Sequence, residues 1–405
     1  MGMKYDLATN FDNELIERIA DFGVVKSLYG KLAKDVIGGG RPSLVLPNIG
    51  RRKLRKHIEA AHKHGIKFNY LLNASCMNNK EFIASSHREM IKLVREVKED
   101  GADGVTVASP AFLKMVREQF PDLNVSASTF LKIDDLNKLK HFESLGANQI
   151  TLTYNFNRDF GLLEKALKIV EQGTELRVIA NNVCLHSCPY QSPAHANLLA
   201  HSSQSKHKSR GFIIDIYAIS CGLQKIKNPA EFLMSDWIRP EDVHYYEELC
   251  EKTGKNLTLK LTDRARTTDW LAEVVKAYAE KSYEGNLLDI LNYVGNKGGY
   301  RKVRKGAMIR GALTGKAGFG LLKLKGATFL PEVYINNKNL NGFMEYFKEN
   351  PCKDKICYTD DKPYGECRHC YNLAEKLVHM DKEKREKGIG MAEELVTDIT
   401  SGRIF

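Results

Sequence analysis

Eight short apolar runs alternate with amphipathic helical stretches between residues 3 and 262. Glycines such as Gly65 and Gly146 stand where the helical patterns stop, as is typical of helix ends. Strands that alternate with helices indicate a parallel sheet, and eight of them favour a closed barrel over an open sheet. The sequence therefore predicts an α/β fold, a TIM-type (β/α)8 barrel over residues 1–282. The predicted strands are Met3–Ala8, Val24–Tyr29, Lys67–Asn73, Asp103–Ala108, Leu123–Ser128, Asn148–Tyr154, Glu175–Asn182 and Leu257–Leu261.

A smaller α+β segment is predicted to follow the barrel. Residues 283–347 form a basic, glycine-rich accessory segment, and residues 348–405 form a cysteine-rich segment with a charged helical tail. Within the barrel, residues 189–212 are polar and irregular, which predicts a mobile loop; a lid over the barrel mouth is the alternative. The elements predicted in the C-terminal segment are helix Asn286–Val294, strands Gly318–Lys325 and Val333–Ile335, and helix Leu340–Glu349.

The charge balance points to an anionic partner. The chain has 61 basic and 50 acidic residues, and between Lys297 and Gly326 nine Lys or Arg occur without one Asp or Glu. Arg301 and Arg304 lie in this stretch and are candidates for binding RNA phosphates or a carboxylate-rich substrate. A solvated basic surface is the alternative. No apolar run is long enough to cross a membrane and the N-terminus lacks a signal-peptide pattern, so we expect a cytoplasmic protein.

Seven of the nine cysteines fall into two groups. Cys184 and Cys188 directly follow the seventh predicted strand, and Cys221 comes from a later apolar run. In barrels of this type chemistry occurs at the carboxyl ends of the strands, so this first group stands where a site is expected. Thiolates are soft ligands that suit zinc or an iron–sulfur cluster. Three unrelated buried cysteines are the alternative.

The second group has the pattern Cys352-x4-Cys357-x9-Cys367-x2-Cys370. Its surroundings are too polar to fold by apolar burial alone, and ligation by four thiolates would supply the missing stability. A closed site with four protein ligands predicts a structural or electron-transfer centre. Zinc and a second 4Fe-4S cluster both remain open at this point.

Further polar residues follow other strands, at the same predicted edge of the barrel. We expect Asn73, Ser128 and Tyr154 to contribute to substrate binding there. Lys260 and Arg264 can hold an anionic group, and an ion pair with Asp263 or Asp269 is the alternative role for these two cations.

Three segments resemble peptidase family U32, the collagenase-like peptidase family. They are Asp103–Pro110, Val125–Ser128 and, most specifically, Leu259–Trp270, and the resemblance extends over about residues 3–275. It implies a 4Fe-4S cluster on Cys184, Cys188 and Cys221, as in the family's anaerobic ubiquinone and RNA hydroxylation proteins. Those relatives imply hydroxylation without dioxygen, with prephenate as the oxygen donor in known pathways, whereas other members carry a peptidase label.

The sequence departs from the family pattern in two ways. Thr262 stands where the family has a glutamate, with Asp263 beside it, which leaves Lys260, Asp263 and Arg264 as the candidate catalytic residues. Only three cysteines are evident where the family uses four. An open iron acting as a Lewis acid is one outcome, and Cys76 as the fourth ligand is the other. Cys250 is expected to pack in the core.

The sequence thus predicts an iron–sulfur enzyme that modifies an anionic small molecule, peptide or RNA without oxygen, served by an electron donor protein. One alternative is a peptidase, although no Ser-His-Asp pattern or HExxH helix is present. The other is an RNA- or protein-binding module whose two metal sites are purely structural.

Overall fold

Eight parallel strands form a closed barrel, as the alternation of the sequence predicts. The computed structural model describes residues 2–208, 213–296, 329–352 and 355–404. Each strand pairs with the next along the chain, and β8 returns to pair with β1 through Lys4 to Leu7. The strands are β1 Lys4–Ala8, β2 Val25–Gly30, β3 Lys67–Leu72, β4 Gly104–Val107, β5 Asn124–Ala127, β6 Gln149–Thr151, β7 Glu175–Ile179 and β8 Leu257–Leu261.

Helices connect the strands, and several begin at a side chain that accepts a backbone hydrogen bond. The Asp12 carboxylate accepts from the Glu14 amide, and Ser109, followed by Pro110, accepts from the amide of Phe112. Such caps satisfy amide groups that the first helical turn leaves unpaired. The helices are α1 Asn13–Ala20, α2 Arg51–Lys63, α3 Ala84–Glu99, α4 Pro110–Gln119, α5 Leu136–Ser144, α6 Phe160–Ile169, α7 Ala196–Ser203, α8 Ile216–Lys227, α9 Ala230–Met234, α10 Val243–Thr253 and α11 Thr268–Glu280.

The interior of the barrel is polar. The Arg177 guanidinium on β7 lies 2.5 Å from the Asp6 carboxylate on β1, and both side chains are fully buried. Ser27 on β2 donates to Asp6 at 2.6 Å, and Gln149 on β6 donates to it at 3.3 Å. A bond between strands that are not neighbours has to cross the inside of the barrel. The apolar side chains that alternate with these residues, such as Leu7, therefore face the helices and form the core there.

The C-terminal segment is a small α+β unit. Strand β9 (Val333–Tyr334) pairs antiparallel with β10 (His379–Met380). Phe343 and Phe347 pack into the same apolar core as the barrel. The helices of this segment are α12 Phe343–Glu349, α13 His369–Leu377 and α14 Lys382–Thr400.

Two predicted elements differ from the structure. Within residues 189–212, α7 forms a regular helix whose buried side packs on the loop after β2, so the prediction of an irregular loop was wrong there. The predicted helix Asn286–Val294 contains a single 3-10 turn at Leu287–Asp289, because Leu287 and Asn286 bond to the backbone of Ile335 instead. The predicted strand Gly318–Lys325 lies outside the described residues. In the part of the chain that the structure describes, none of the helices has both the length and the apolarity needed to cross a membrane.

Candidate functional site

Lys260 and Arg264 lie at the mouth of the barrel, where the carboxyl ends of the strands meet. The Lys260 amine lies 3.9 Å from the centroid of the Tyr29 ring. Arg264 is 4% exposed, and its Nη1 group has no hydrogen-bond partner among the described residues. Burial lowers the pKa of Arg264 to about 10, and the nearby charge of Arg41 adds to this effect. Burial also lowers the pKa of Lys260 well below its usual range, helped by the charge of Arg177.

Three carboxylates face this region, and each has a cation of its own. Asp6 pairs with Arg177 inside the barrel. The Asp35 carboxylate lies 2.9 Å from the Lys31 amine, and the Asp263 carboxylate lies 3.1 Å from Arg41 Nε. These ion pairs leave Arg264 as positive charge, and Lys260 as a buried amine, without a carboxylate of their own at the mouth.

The sequence left open that Lys260 or Arg264 forms an ion pair with Asp263 or Asp269. Among the described residues, both carboxylates pair with other cations. Asp263 pairs with Arg41, and Asp269 pairs with Arg18 at 2.5 Å. Although burial opposes it, the charge of Arg41 keeps the pKa of Asp263 below its usual value. Asp263 is therefore an ionised carboxylate at the mouth.

A glycine-rich strap, residues 38–41, crosses the mouth and ends at Arg41. A Cβ atom on Gly39 would lie 2.8 Å from the side chain of Lys31, and one on Gly40 would lie 2.3 Å from the ring of Phe130. Only glycine allows the backbone to pass so close. The Gly39 amide donates to Ser203 on α7 at 2.8 Å, so α7 holds one side of the strap.

The predicted substrate-binding residues occupy the mouth but already have protein partners. The Asn73 side-chain oxygen accepts from the Gly40 amide of the strap at 3.3 Å. Ser128 accepts from the backbone amide of Phe130 and so caps a short turn. The Tyr154 hydroxyl accepts from Asn182 at 2.7 Å, next to Cys184. Arg301 and Arg304 lie outside the described residues.

Cys184, Cys188 and Cys221 form the first thiol group. Cys184 and Cys188 follow β7, and Cys221 lies on α8. Burial raises the pKa of the Cys184 thiol to about 12; the charge of Lys225 opposes this, and Cys221 and Cys188 add to it. The charges of Cys221 and Cys188 both act on the Cys184 thiol, which indicates that the three side chains face one region.

A buried lysine stands among these sulfur atoms. The Lys225 amine on α8 donates to Cys221 Sγ at 2.9 Å, and Lys225 is 4% exposed. Burial alone lowers the pKa of Lys225, but the charges of Cys221 and Cys184 outweigh it and raise the pKa. A buried ammonium requires a negative partner, and metal ligation of these sulfur atoms as thiolates would supply it.

The two remaining cysteines lie apart from this arrangement. Cys76 Sγ donates to the Asn78 side chain at 3.8 Å, and nothing in the structure tests Cys76 as a fourth ligand. Cys250 lines a cavity of about 700 Å³ with Lys26 and Thr258, at the amino ends of the strands. It is therefore at the opposite end of the barrel from the first thiol group, where it packs against the core as expected.

Cys352, Cys357, Cys367 and Cys370 form the second thiol group. A parallel bridge joins the backbones of Cys357 and Cys367. Burial raises the pKa of Cys352 to about 12 and that of Cys357 to about 11, and the neighbouring thiols of the group contribute to both shifts. The bridge brings Cys357 and Cys367 together, and the electrostatic effects indicate that all four thiols face one region.

One short segment touches both thiol groups. The Leu233 carbonyl on α9 accepts from Cys370 Sγ at 3.8 Å, and two residues later the Ser235 hydroxyl donates to the Cys184 carbonyl at 2.5 Å. Cys188 and Cys352 also line one cavity of about 730 Å³. The two groups are therefore neighbours on one side of the barrel.

The fit of a metal centre depends on its size. Within residues 2–208, 213–296, 329–352 and 355–404, no set of three or more His, Cys, Asp or Glu side chains is placed to hold a single metal ion. A cluster of several irons spaces its thiolate ligands more widely than one ion does. The first group, with its buried ammonium at Lys225, has the soft donors and the compensating charge that suit such a cluster.

Several residues of the site were not identified from the sequence. Arg41 meets its partner Asp263 only through the fold. Lys31 and Asp35 pair with each other four residues apart in the loop after β2, where no helical pattern marks their spacing. Lys225 could have been identified from the sequence, because it stands four positions after Cys221 and therefore lies on the same face of the helix.

A (β/α)8 barrel with thiols, a buried amine and a guanidinium without a carboxylate partner at its mouth is the class of protein that the fold and the site define. Residues 44–160 match the family model of peptidase family U32, so the resemblance inferred from the sequence is confirmed. A Methanocaldococcus jannaschii protein named "Uncharacterized protease MJ1657" is 24% identical over 344 residues, which are 85% of this chain and 86% of the relative. The solved structure of the U32 peptidase Mk0906 is 19% identical, with a TM-score of 0.48 over 65% of this chain and 93% of that chain.

Proposed function

We propose that this chain is an iron–sulfur enzyme that modifies an anionic substrate at the barrel mouth without using dioxygen. The substrate is a small molecule, a peptide or an RNA that presents a carboxylate or a phosphate. The first thiol group would hold a 4Fe-4S cluster beside the substrate. The second would hold another such cluster or a zinc ion, and with a cluster it would receive electrons from a donor protein.

One observation carries the proposal: the thiol-bearing loop and the cationic loop are bonded to each other. The Asn181 side-chain oxygen accepts from the Thr262 amide at 2.7 Å, and its amide group donates to the Thr262 carbonyl at 2.8 Å. Cys184 follows Asn181 by three residues, and Arg264 follows Thr262 by two. A redox centre and an anion-binding site would therefore share one mouth.

A cluster bound there would supply one-electron chemistry and an open coordination position. The residues of the chain have separate tasks. Lys225 balances the negative charge of the thiolates, and Arg264 binds the anionic group of the substrate through its unpaired Nη1. Asp263, kept ionised by Arg41, can accept a proton during the reaction.

A peptidase is the second candidate, because the named relative is called a protease. The structure does contain a Thr-His-Asn arrangement. The Thr9 hydroxyl lies 2.7 Å from His57 Nε2, and His57 Nδ1 lies 2.7 Å from the Asn13 side-chain oxygen. Thr9 and His57 are both 0% exposed, so no peptide can reach this hydroxyl. This arrangement therefore does not support a peptidase.

The test is anaerobic purification followed by iron and sulfide quantification. The wild type is expected to be brown and to contain sulfide. Cys184→Ser and Cys367→Ser should each lose iron, whereas Cys250→Ser, at the far end of the barrel, is the matched control and should keep it. Cys76→Ser separates an open iron from a fourth protein ligand. Colourless wild-type protein that contains only zinc contradicts the proposal and favours a binding module, and cleavage of unfolded collagen by the metal-free protein favours a peptidase.

A further inference from the structure

Lys260 is a buried amine without a carboxylate of its own. Its amine faces the ring of Tyr29 at 3.9 Å, and no described residue forms a hydrogen bond or an ion pair with it. Asp6 contributes negative charge at this position, but Arg177 neutralises that carboxylate at 2.5 Å. An ammonium in this position is therefore poorly stabilised, and the neutral amine is favoured.

The charges around Lys260 come from four elements of the barrel. Arg177 on β7, Arg264 after β8 and Arg41 on the strap all disfavour its protonation, whereas the charge of Asp6 on β1 and the face of the Tyr29 ring favour it. Cationic neighbours and burial together are the conditions that make a lysine nucleophilic at neutral pH.

Lys31 is the contrasting lysine of the same mouth. Its side chain is 0% exposed, its amine lies 2.9 Å from Asp35, and it donates to the Leu32 carbonyl at 3.0 Å. It also lies under Gly39 of the strap. An ion-paired and covered amine cannot attack a substrate, whereas Lys260 is 9% exposed at the mouth.

We propose that Lys260 is a nucleophile that forms an imine with the carbonyl carbon of a 2-oxo acid whose carboxylate is bound by Arg264. The inference deepens the proposed function, and it rests on that function only for placing an anionic substrate at this mouth. A carbonyl beside a carboxylate matches a mouth that holds both a buried amine and a guanidinium whose Nη1 has no partner among the described residues.

The chemistry balances without an oxidant. The lone pair of the Lys260 nitrogen forms a bond to the carbonyl carbon, and the carbonyl oxygen takes up the displaced electron pair and a proton. The nitrogen then loses a proton, the protonated hydroxyl leaves as water, and a carbon–nitrogen double bond remains. The product is a protonated imine, and sodium borohydride reduces it irreversibly to a secondary amine.

The test is borohydride trapping of the full-length protein with pyruvate, followed by peptide mapping. One label per chain is expected on Lys260, with saturable dependence on pyruvate and no label on Lys31. Lys260→Met and Lys260→Arg should both abolish this label; the first keeps the position uncharged and the second places a charge there, and a wild-type urea unfolding transition in either variant shows that the loss is not a folding effect. Lys26→Arg, at the opposite end of the barrel, is the matched control and should be labelled as the wild type is.

Arg264→Met tests the choice of ligand. This variant should raise the half-saturating pyruvate concentration about ten- to a hundredfold. That change corresponds to the loss of one charged hydrogen-bonding partner. Trapping with acetone, which has no carboxylate, should not respond to this change. An absence of label on Lys260 with pyruvate, glyoxylate and phenylpyruvate overturns the inference, as does equal labelling of surface lysines.

Trapping requires no metal, so it is performed on the protein both as purified and after iron removal. A labelled Lys260 in protein without iron or sulfide keeps the inference and contradicts the iron–sulfur function. Protein that contains iron and sulfide but whose Lys260 is not labelled keeps the iron–sulfur function and contradicts the inference.

Discussion

The buried imidazole of His57 should make the protein sensitive to mild acid. His57 on α2 joins the loop after β1 to α1, because it bonds to both Thr9 and Asn13 at 2.7 Å. The Asn13 oxygen can only accept, so Nδ1 carries the proton, and Nε2 accepts from the Thr9 hydroxyl. This arrangement requires the neutral ring.

Burial lowers the pKa of His57 to about 4, with a further contribution from the charge of Lys53. In the unfolded chain a histidine has a pKa of about 6.5. Between these two values the unfolded state binds the extra proton, so the free energy of unfolding falls as the pH falls through this window. The full loss is about 3 kcal/mol, and about 2 kcal/mol of it is reached at about pH 5.

Urea denaturation at about pH 7 and about pH 5 measures this effect. The difference in unfolding free energy between the two pH values should be about 2 kcal/mol smaller in His57→Gln than in the wild type, since the amide has no proton to gain. His141→Gln, on the exposed side of α5, is the control and should keep the wild-type difference. An unchanged acid dependence in His57→Gln would falsify the assignment of this sensitivity to His57.

Two further predictions concern charges inside the barrel and beside the thiols. Asp6→Asn should lower the free energy of unfolding by about 3–5 kcal/mol, because Arg177 is left buried without its partner. Asp269→Asn, which breaks an exposed pair, should have little effect in the same denaturation assay. If the first thiol group holds a cluster, Lys225→Met removes a positive charge beside it. The reduction potential of the cluster should then shift to a more negative value in an anaerobic titration. Lys227 is two positions further along the chain and forms an exposed ion pair with Glu393. Lys227→Met is therefore the control and should leave the reduction potential unchanged.

The barrel could be predicted because its signals are local. Every predicted strand from Met3–Ala8 to Leu257–Leu261 is present, with ends that differ by at most a few residues. The apolar side of each strand packs against helices, and that requirement sets the alternation of the sequence. The positions of Cys184 and Lys260 at the mouth follow directly from the strand ends.

The polar interior and the strap could not be predicted in the same way. Asp6 and Arg177 are 171 positions apart, and Arg41 and Asp263 are 222 apart, so only closure of the barrel defines these pairs. Polar residues in the middle of apolar strands, such as Asn69, were the available signal for a polar interior. The sequence pattern of α7 was misjudged because its polar residues, including Ser202 and Ser203, are buried against the strap rather than exposed.

The C-terminal segment is attached to the site through Arg158 as well as through α9. The Arg158 guanidinium donates to the Leu233 carbonyl at 2.7 Å and lies 4.7 Å from the Trp237 ring centroid and 4.8–4.9 Å from those of Phe347 and Phe343. The same carbonyl accepts from Cys370, and the chain reaches Ser235, which holds the Cys184 loop, two residues later. Ligation of the second thiol group would therefore fix the backbone that positions the first. If the second thiol group binds a ligand, this connection would give the C-terminal cysteines a role at the barrel mouth. Zinc would only brace the loop, whereas a cluster would also pass electrons across it.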